Sequence, residues 1–124
     1  VYAFEHAVSL DRNNAYSHYN LADLYRLTGS YHEALTSYEV VLRKKPDFFR
    51  ALIGKALALE GLGRKEEALM EFLKATEIAP EDPRAYGLAA ALYAKLGNEA
   101  KSAEYYRRYE QLNRGPENRA NSAR

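Results

Sequence analysis

The sequence predicts an all-α protein built from stacked helical hairpins. Three observations carry that reading: residue types recur every 34 positions along the 124-residue chain, apolar positions within each period keep helical spacing, and glycine, proline and capping residues fall in the intervals. Gly29, Gly63 and Gly97 form one column, and Ala22, Ala56 and Ala90 another. Tyr25, Leu59 and Tyr93 form a third. Ala34, Ala68 and Ser102 make a small-residue column, and Phe4, Tyr38, Phe72 and Tyr106 an aromatic one that reaches back to the first residues.

Each element follows from local chemistry. A helix at 1–11 rests on Phe4 and Leu10, which share phases with later helices. Asn14 is a candidate cap for a helix at 15–28, whose face is Leu21, Leu24, Tyr25 and Thr28 and which Gly29 ends. Ser30 and Glu33 form a capping box for 31–45, where Ala34, Leu35, Tyr38, Val41 and Leu42 share a face. Arg43, Lys44 and Lys45 suit the negative end of that helix's dipole, and Pro46 stops it. Asp47 is the candidate cap for 48–62. Glu66 and Glu67 suit the positive end of 65–79, with Pro80 beyond its end. Asp82 followed by Pro83 opens 83–96, and Asn98 opens 99–112. The helix at 1–11 reads as the second half of a repeat whose first half lies upstream, so the repeat domain spans 1–112: a partial unit at 1–14, then complete units at 15–48, 49–82 and 83–112. Residues 113–124 contain Gly115-Pro116 and lack apolar periodicity, which predicts a disordered tail.

Composition narrows the function. Hydrophobic residues at 47% and charged residues at 28% belong to a folding globular chain, and 18 Lys and Arg against 17 Asp and Glu give no field that draws the whole chain to nucleic acid or an anionic membrane. Zero cysteines exclude a disulfide framework and a thiol nucleophile. No apolar run is long enough to cross a membrane, and the first residues do not read as a signal peptide. The absent initiator Met suggests an excised fragment; the compartment is undetermined, with the cytoplasm as default. His6, His18 and His32 fall on different helices without ligand spacing, and the glycines occur singly, so neither a metal site, a phosphate loop nor any other cofactor or catalytic site is predicted. Tyr25, Tyr38, Tyr93 and Tyr106 are expected in the core.

These columns resemble the tetratricopeptide repeat over residues 1–112: small residues where helices cross, an aromatic in each helix, glycine at the inner turn and proline at the end. Departures are the column His18, Leu52, Tyr86, where the family usually has tryptophan; Tyr109 in the small column of Ala7 and Ala75; and Lys55 in the phase of Leu21 and Ala89. Lys55 is expected to bury its stem while its amine reaches water. The resemblance implies a right-handed α-α superhelix whose concave surface is lined by the first helix of each hairpin. It further implies a protein-protein interaction scaffold that holds a peptide or protein segment in that groove, with no catalysis of its own. The alternative is an accessory, substrate-positioning domain of a larger enzyme.

Outside the packing columns, the first helices present Tyr16, Tyr19, Asp23 and Arg26; Arg50, Ile53, Leu57 and Glu60; and Arg84, Gly87, Ala91 and Lys95. Four cations, two anions and an apolar floor suit a peptide with an apolar anchor and an acidic or C-terminal group. Gly87 and Ala91, lacking bulk, are expected to leave a pocket. The carboxylate clamp with which some family members hold chaperone tails is not matched: its phases carry Tyr19, Asp23, Gly54, Arg84 and Leu88, and only Arg84 fits. No repeating base-reading column points to nucleic acid. Self-association is expected through Val1, Phe4 and Val8, an apolar face left uncovered if its upstream partner is missing.

Overall fold

The structure is a computed structural model that describes residues 14–122, with side chains through Arg114. The helix expected at 1–11, and the self-association assigned to Val1, Phe4 and Val8, lie outside the described residues. Six helices follow in order: α1 Ala15–Leu27, α2 Tyr31–Lys44, α3 Phe49–Gly61, α4 Lys65–Ile78, α5 Pro83–Lys95 and α6 Glu99–Ser122. Their starts fall within one residue of the expected positions. The last does not end where expected: α6 runs to Ser122, through the segment read as a disordered tail. Pro116 removes one hydrogen bond and crowds the preceding turn, yet the helix continues through it, with the ordinary helix formers Glu117, Arg119 and Ala120 beyond.

The three tight turns share one construction. Gly29, Gly63 and Gly97 have φ of 84°, 79° and 85°, the left-handed region where a side chain is strained. Each closes a helix with the paired bonds of a Schellman motif: Gly29 N–H to Arg26 O and Ser30 N–H to Tyr25 O, at 3.1 and 2.8 Å, with the same pattern from Gly63 and Arg64 and from Gly97 and Asn98.

Capping is less uniform. Asn14 accepts from the backbone N–H of Tyr16 and Ser17, Asp82 from Arg84 N–H, and Asn98 from Lys101 N–H. Ser30 makes no side-chain capping bond, so the predicted box with Glu33 does not form. Arg64, in the phase of Ser30, instead grips Glu67 with both nitrogens at 2.9 and 2.7 Å. Asp47 is not the cap of α3 either. Phe48 occupies that position, in the phase of Asn14 and Asp82, and Asp47 sits one residue too early.

The chain forms two compact units, Val1–Glu71 and Phe72–Arg124. In the first, α1 packs on α2 and α3, and α2 packs on α3. Its core joins Ala15, Ala22, Ala34, Tyr38, Val41, Ala51 and Ala58, with Tyr19, Tyr25, Tyr31, Leu42 and Phe48 against it. Small residues bring the backbones close, and the large rings go where glycine makes room. A Cβ on Gly54 would lie 2.3 Å from the Tyr38 ring, and one on Gly61 would lie 2.6 Å from the Tyr31 ring. Two tyrosines seven residues apart on α2 thus seat on two glycines seven residues apart on α3.

Lys55 departs from expectation. Its amine does not simply reach water: Nζ lies 3.3 Å from Glu71 Oε1 and 4.0 Å from Glu39 Oε2, with the Lys55 side chain 20% exposed. A charge in an otherwise apolar phase is tolerated because two carboxylates face it.

In the second unit α5 packs on α6. Ala85, Ala89, Ala90 and Leu92 are buried, and Ser102, in the small-residue column, donates its hydroxyl to Ala90 O at 2.9 Å. Tyr109, too large for the column of Ala75, fits because a Cβ on Gly87 would stand 2.9 Å from its ring. Tyr106 is not core as expected. It is 52% exposed, whereas Tyr38 and Phe72 in its column are fully buried. Among the described residues, no helix follows α6 to cover that side of its hairpin.

Candidate binding surface

Within the first unit, eight of the expected surface residues lie on two packed helices: Tyr16, Tyr19, Asp23 and Arg26 on α1, and Arg50, Ile53, Leu57 and Glu60 on α3. Tyr16 and Arg50 are exposed and the other six half-buried.

At its inner edge, a three-residue network fixes the charges. Tyr38 reaches over Gly54 and donates its hydroxyl to Asp23 Oδ1; Arg26 donates Nε–H to the Tyr38 oxygen at 3.0 Å and lies 3.4 Å from Asp23. Burial and then the Asp23 carboxylate push the Tyr38 phenol well above its ordinary value, and the same two causes raise Tyr19. For Arg26 burial works against the charge, but its bonds to Tyr38 and Asp23 outweigh that and push its pKa up. Arg26 and Asp23 are therefore occupied with each other, which leaves less free charge than the sequence suggested.

The outer edge is an aromatic shelf. The Phe48 ring lies 5.0 Å from Tyr19, stacked, and 5.3 Å from Tyr16, tilted. Lys45 holds its ammonium 4.9 Å from the Tyr16 ring centre and 5.6 Å from that of Phe48, and donates to the Tyr16 hydroxyl at 3.3 Å. Arg50, exposed near the start of α3, is close enough for its charge to act on Tyr19. The geometry offers flat apolar area next to two cations, which can desolvate an apolar side chain while pairing a nearby carboxylate. Lys45 and Phe48 were missing from the sequence-derived set. The available signal was Phe48 itself, an aromatic standing in a column of helix caps.

The second unit places the remaining four on α5. Arg84 is bound by its own helix cap, Nε and Nη2 meeting the two Asp82 oxygens at 3.0 and 2.7 Å. Gly87 leaves no pocket, because Tyr109 fills the space. Ala91 and Lys95 are exposed. Among the described residues, no group of three or more His, Asp or Glu could hold a metal ion, and no helix is long and apolar enough to cross a membrane.

Helical hairpins repeating every 34 residues around small-residue contacts define an all-α class of helix-turn-helix repeats. The tetratricopeptide repeat pattern matches residues 3–47 and 19–83 in one form and 83–116 in another. The chain belongs to the tetratricopeptide repeat family. It is 39% identical over 75 residues to the TPR repeat-containing thioredoxin TTL4 of Arabidopsis thaliana, and 40% identical over 81 residues to the inactive TPR repeat-containing thioredoxin TTL3 of the same plant. These matches take in 60% and 65% of this chain but 11% of each relative's length. Among solved structures it resembles MamA residues 41 to end from Desulfovibrio magneticus RS-1, with a TM-score of 0.84 at 22% identity over 90% of this chain and 63% of that one. A crystal structure of MamA gives 0.84 at 18% identity, over 89% of this chain and 64% of that one. At these identities the likeness is one of fold.

Proposed function

We propose that the protein is a non-catalytic interaction module that holds a segment of another protein against the first helices of its hairpins. Membership of a scaffold-forming repeat family supports a protein-interaction role in general. The observation that carries the finer reading is the half-exposed shelf of Tyr16, Phe48 and Tyr19 flanked by Lys45 and Arg50. Aromatic anchors beside cations favour a segment with an apolar residue next to an acidic one. Panning a random linear peptide library on the protein tests this. Enrichment of acidic-apolar sequences, lost in the Tyr16→Ala, Arg50→Ala double variant, is the expected result. Enriched peptides that still shift α1 and α3 resonances in that variant, with its helicity intact, would refute it.

A second reading is that these repeats position substrate for a catalytic domain elsewhere in a longer polypeptide. The observation behind it is that the two plant relatives named above are thioredoxin-named proteins matched over 11% of their length. Whether a catalytic domain is encoded in the same reading frame as these repeats decides between the two.

A further inference from the structure

The second unit carries a depression that neither the repeat columns nor the shelf explains. It lies between α5 and α6, encloses about 330 Å³, and is lined by Tyr86, Glu104, Tyr105, Arg107, Arg108 and Gln111. Tyr86 and Arg84 are two residues apart on one helix, a turn of about 200°, so the depression opens on the side of α5 opposite Arg84, Ala91 and Lys95. It is a different surface from the proposed groove.

Its walls are rings and cations. Tyr105 lies 6.0 Å from Tyr86 and 5.3 Å from Tyr93, an aromatic floor continuous with the hairpin interior. The Arg108 guanidinium lies 5.8 Å from the centre of the Tyr86 ring. Glu104 stands one helical turn before Arg108, at the spacing where a carboxylate ordinarily pairs with it, yet its carboxylate lies 3.8 Å from Lys101 Nζ instead. Among the described residues no carboxylate is within ion-pair distance of Arg107 or Arg108. The Arg108 guanidinium on an aromatic floor, with Arg107 and Gln111 also lining the depression, can receive an anion carried on an apolar stem.

We propose that this depression is a second binding site, which receives a carboxylate-bearing residue of a peptide: its stem against Tyr86 and Tyr105, its carboxylate between Arg107 and Arg108. Glu104 on the rim, 3.8 Å from Lys101, offsets part of the positive charge without cancelling it. The volume suits one or two side chains.

The probe is a short acetylated, amidated peptide with two glutamates around a leucine, titrated into the isotopically labelled protein and followed by backbone and arginine side-chain NMR. A second peptide carries glutamines and a free C-terminal carboxylate. Expected is a set of shifts on α5 and α6 resonances, separate from any on α1 and α3 and weakened by added salt, with the affinity read at the α5 and α6 resonances reduced about tenfold in the Arg107→Gln, Arg108→Gln double variant. Binding of the first peptide assigns the site to acidic side chains, and binding of the second to chain termini; either supports the proposal. Binding of neither, or equal binding by the arginine double variant with its helicity intact, would overturn it. Reading the α5 and α6 resonances apart from those of α1 and α3 keeps this result separate from the groove.

Discussion

Substituting Gly54 by alanine tests the packing logic of the first unit directly. In an open helix the change stabilises by about 1 kcal/mol through helix propensity. Here the new Cβ would lie 2.3 Å from Tyr38 Cζ and 2.5 Å from Cε1 and Oη, against an ordinary separation of about 3.5–4 Å. The ring must therefore retreat by about 1 Å or more. It has nowhere soft to go: Tyr38 is fully buried and its hydroxyl is bonded to Asp23 and Arg26. Overpacking costs about 1–3 kcal/mol, and loosening hydrogen bonds to charged partners about 1.5–3 kcal/mol. With the propensity gain subtracted, the expected net loss is about 1.5–5 kcal/mol. Urea unfolding followed by circular dichroism measures it. In a Tyr38→Leu background, where the ring tip is gone, Gly54→Ala should become neutral or stabilising. A stabilising effect in the native background, or the same loss in both backgrounds, would refute the reasoning.

Further tests probe the charges and caps. Lys55→Met leaves Glu71 facing a neutral side chain in a largely buried position and should cost about 1–3 kcal/mol, less than a fully enclosed pair because Lys55 is partly exposed; adding Glu71→Leu should recover most of it, as a double-mutant cycle by chemical denaturation will show. Tyr38 has a folded pKa raised above its ordinary 10.0, so its contribution is complete below that pH and is lost as the pH climbs beyond it, at up to about 1.4 kcal/mol per pH unit. Denaturation midpoints that are flat to the ordinary tyrosine range and fall above it, less steeply in Tyr38→Phe, are expected. Asn14→Ala should cost about 1 kcal/mol through the lost cap, whereas Ser30→Ala, whose hydroxyl caps nothing, should change thermal stability far less.

Most of the fold was legible because periodicity reports helix faces and glycine reports the left-handed turn. The caps at Asn14, Asp82 and Asn98 were read correctly for the same reason: their chemistry is local. Asp47 misled because a cap depends on which residue begins the helix, and residue type alone does not locate that start to within one position. Tyr106 misled because a column predicts which way a side chain points and says nothing of whether a neighbour covers it. The candidate surface was harder to read. Tyr16, Tyr19 and Arg50 follow from helical phase, but Phe48 and Lys45 join them by the path of the turn between α2 and α3. That Gly87 is covered and Gly54 overlaid by a ring depends on side chains crossing from the paired helix, which no spacing along a single helix encodes.

The seating of Tyr31 on Gly61 and of Tyr38 on Gly54 works as a two-pin connector between consecutive hairpins. One pin would allow the helices to pivot; two, separated by two helical turns, lock both slide and rotation. A single residue inserted between Gly54 and Gly61 swings one socket about 100° away from its pin, so length changes at this junction are confined to the turns. Recombining these hairpins with those of other arrays would succeed only where a partner brings both sockets, and that makes this chain a less interchangeable building block than its regular period suggests.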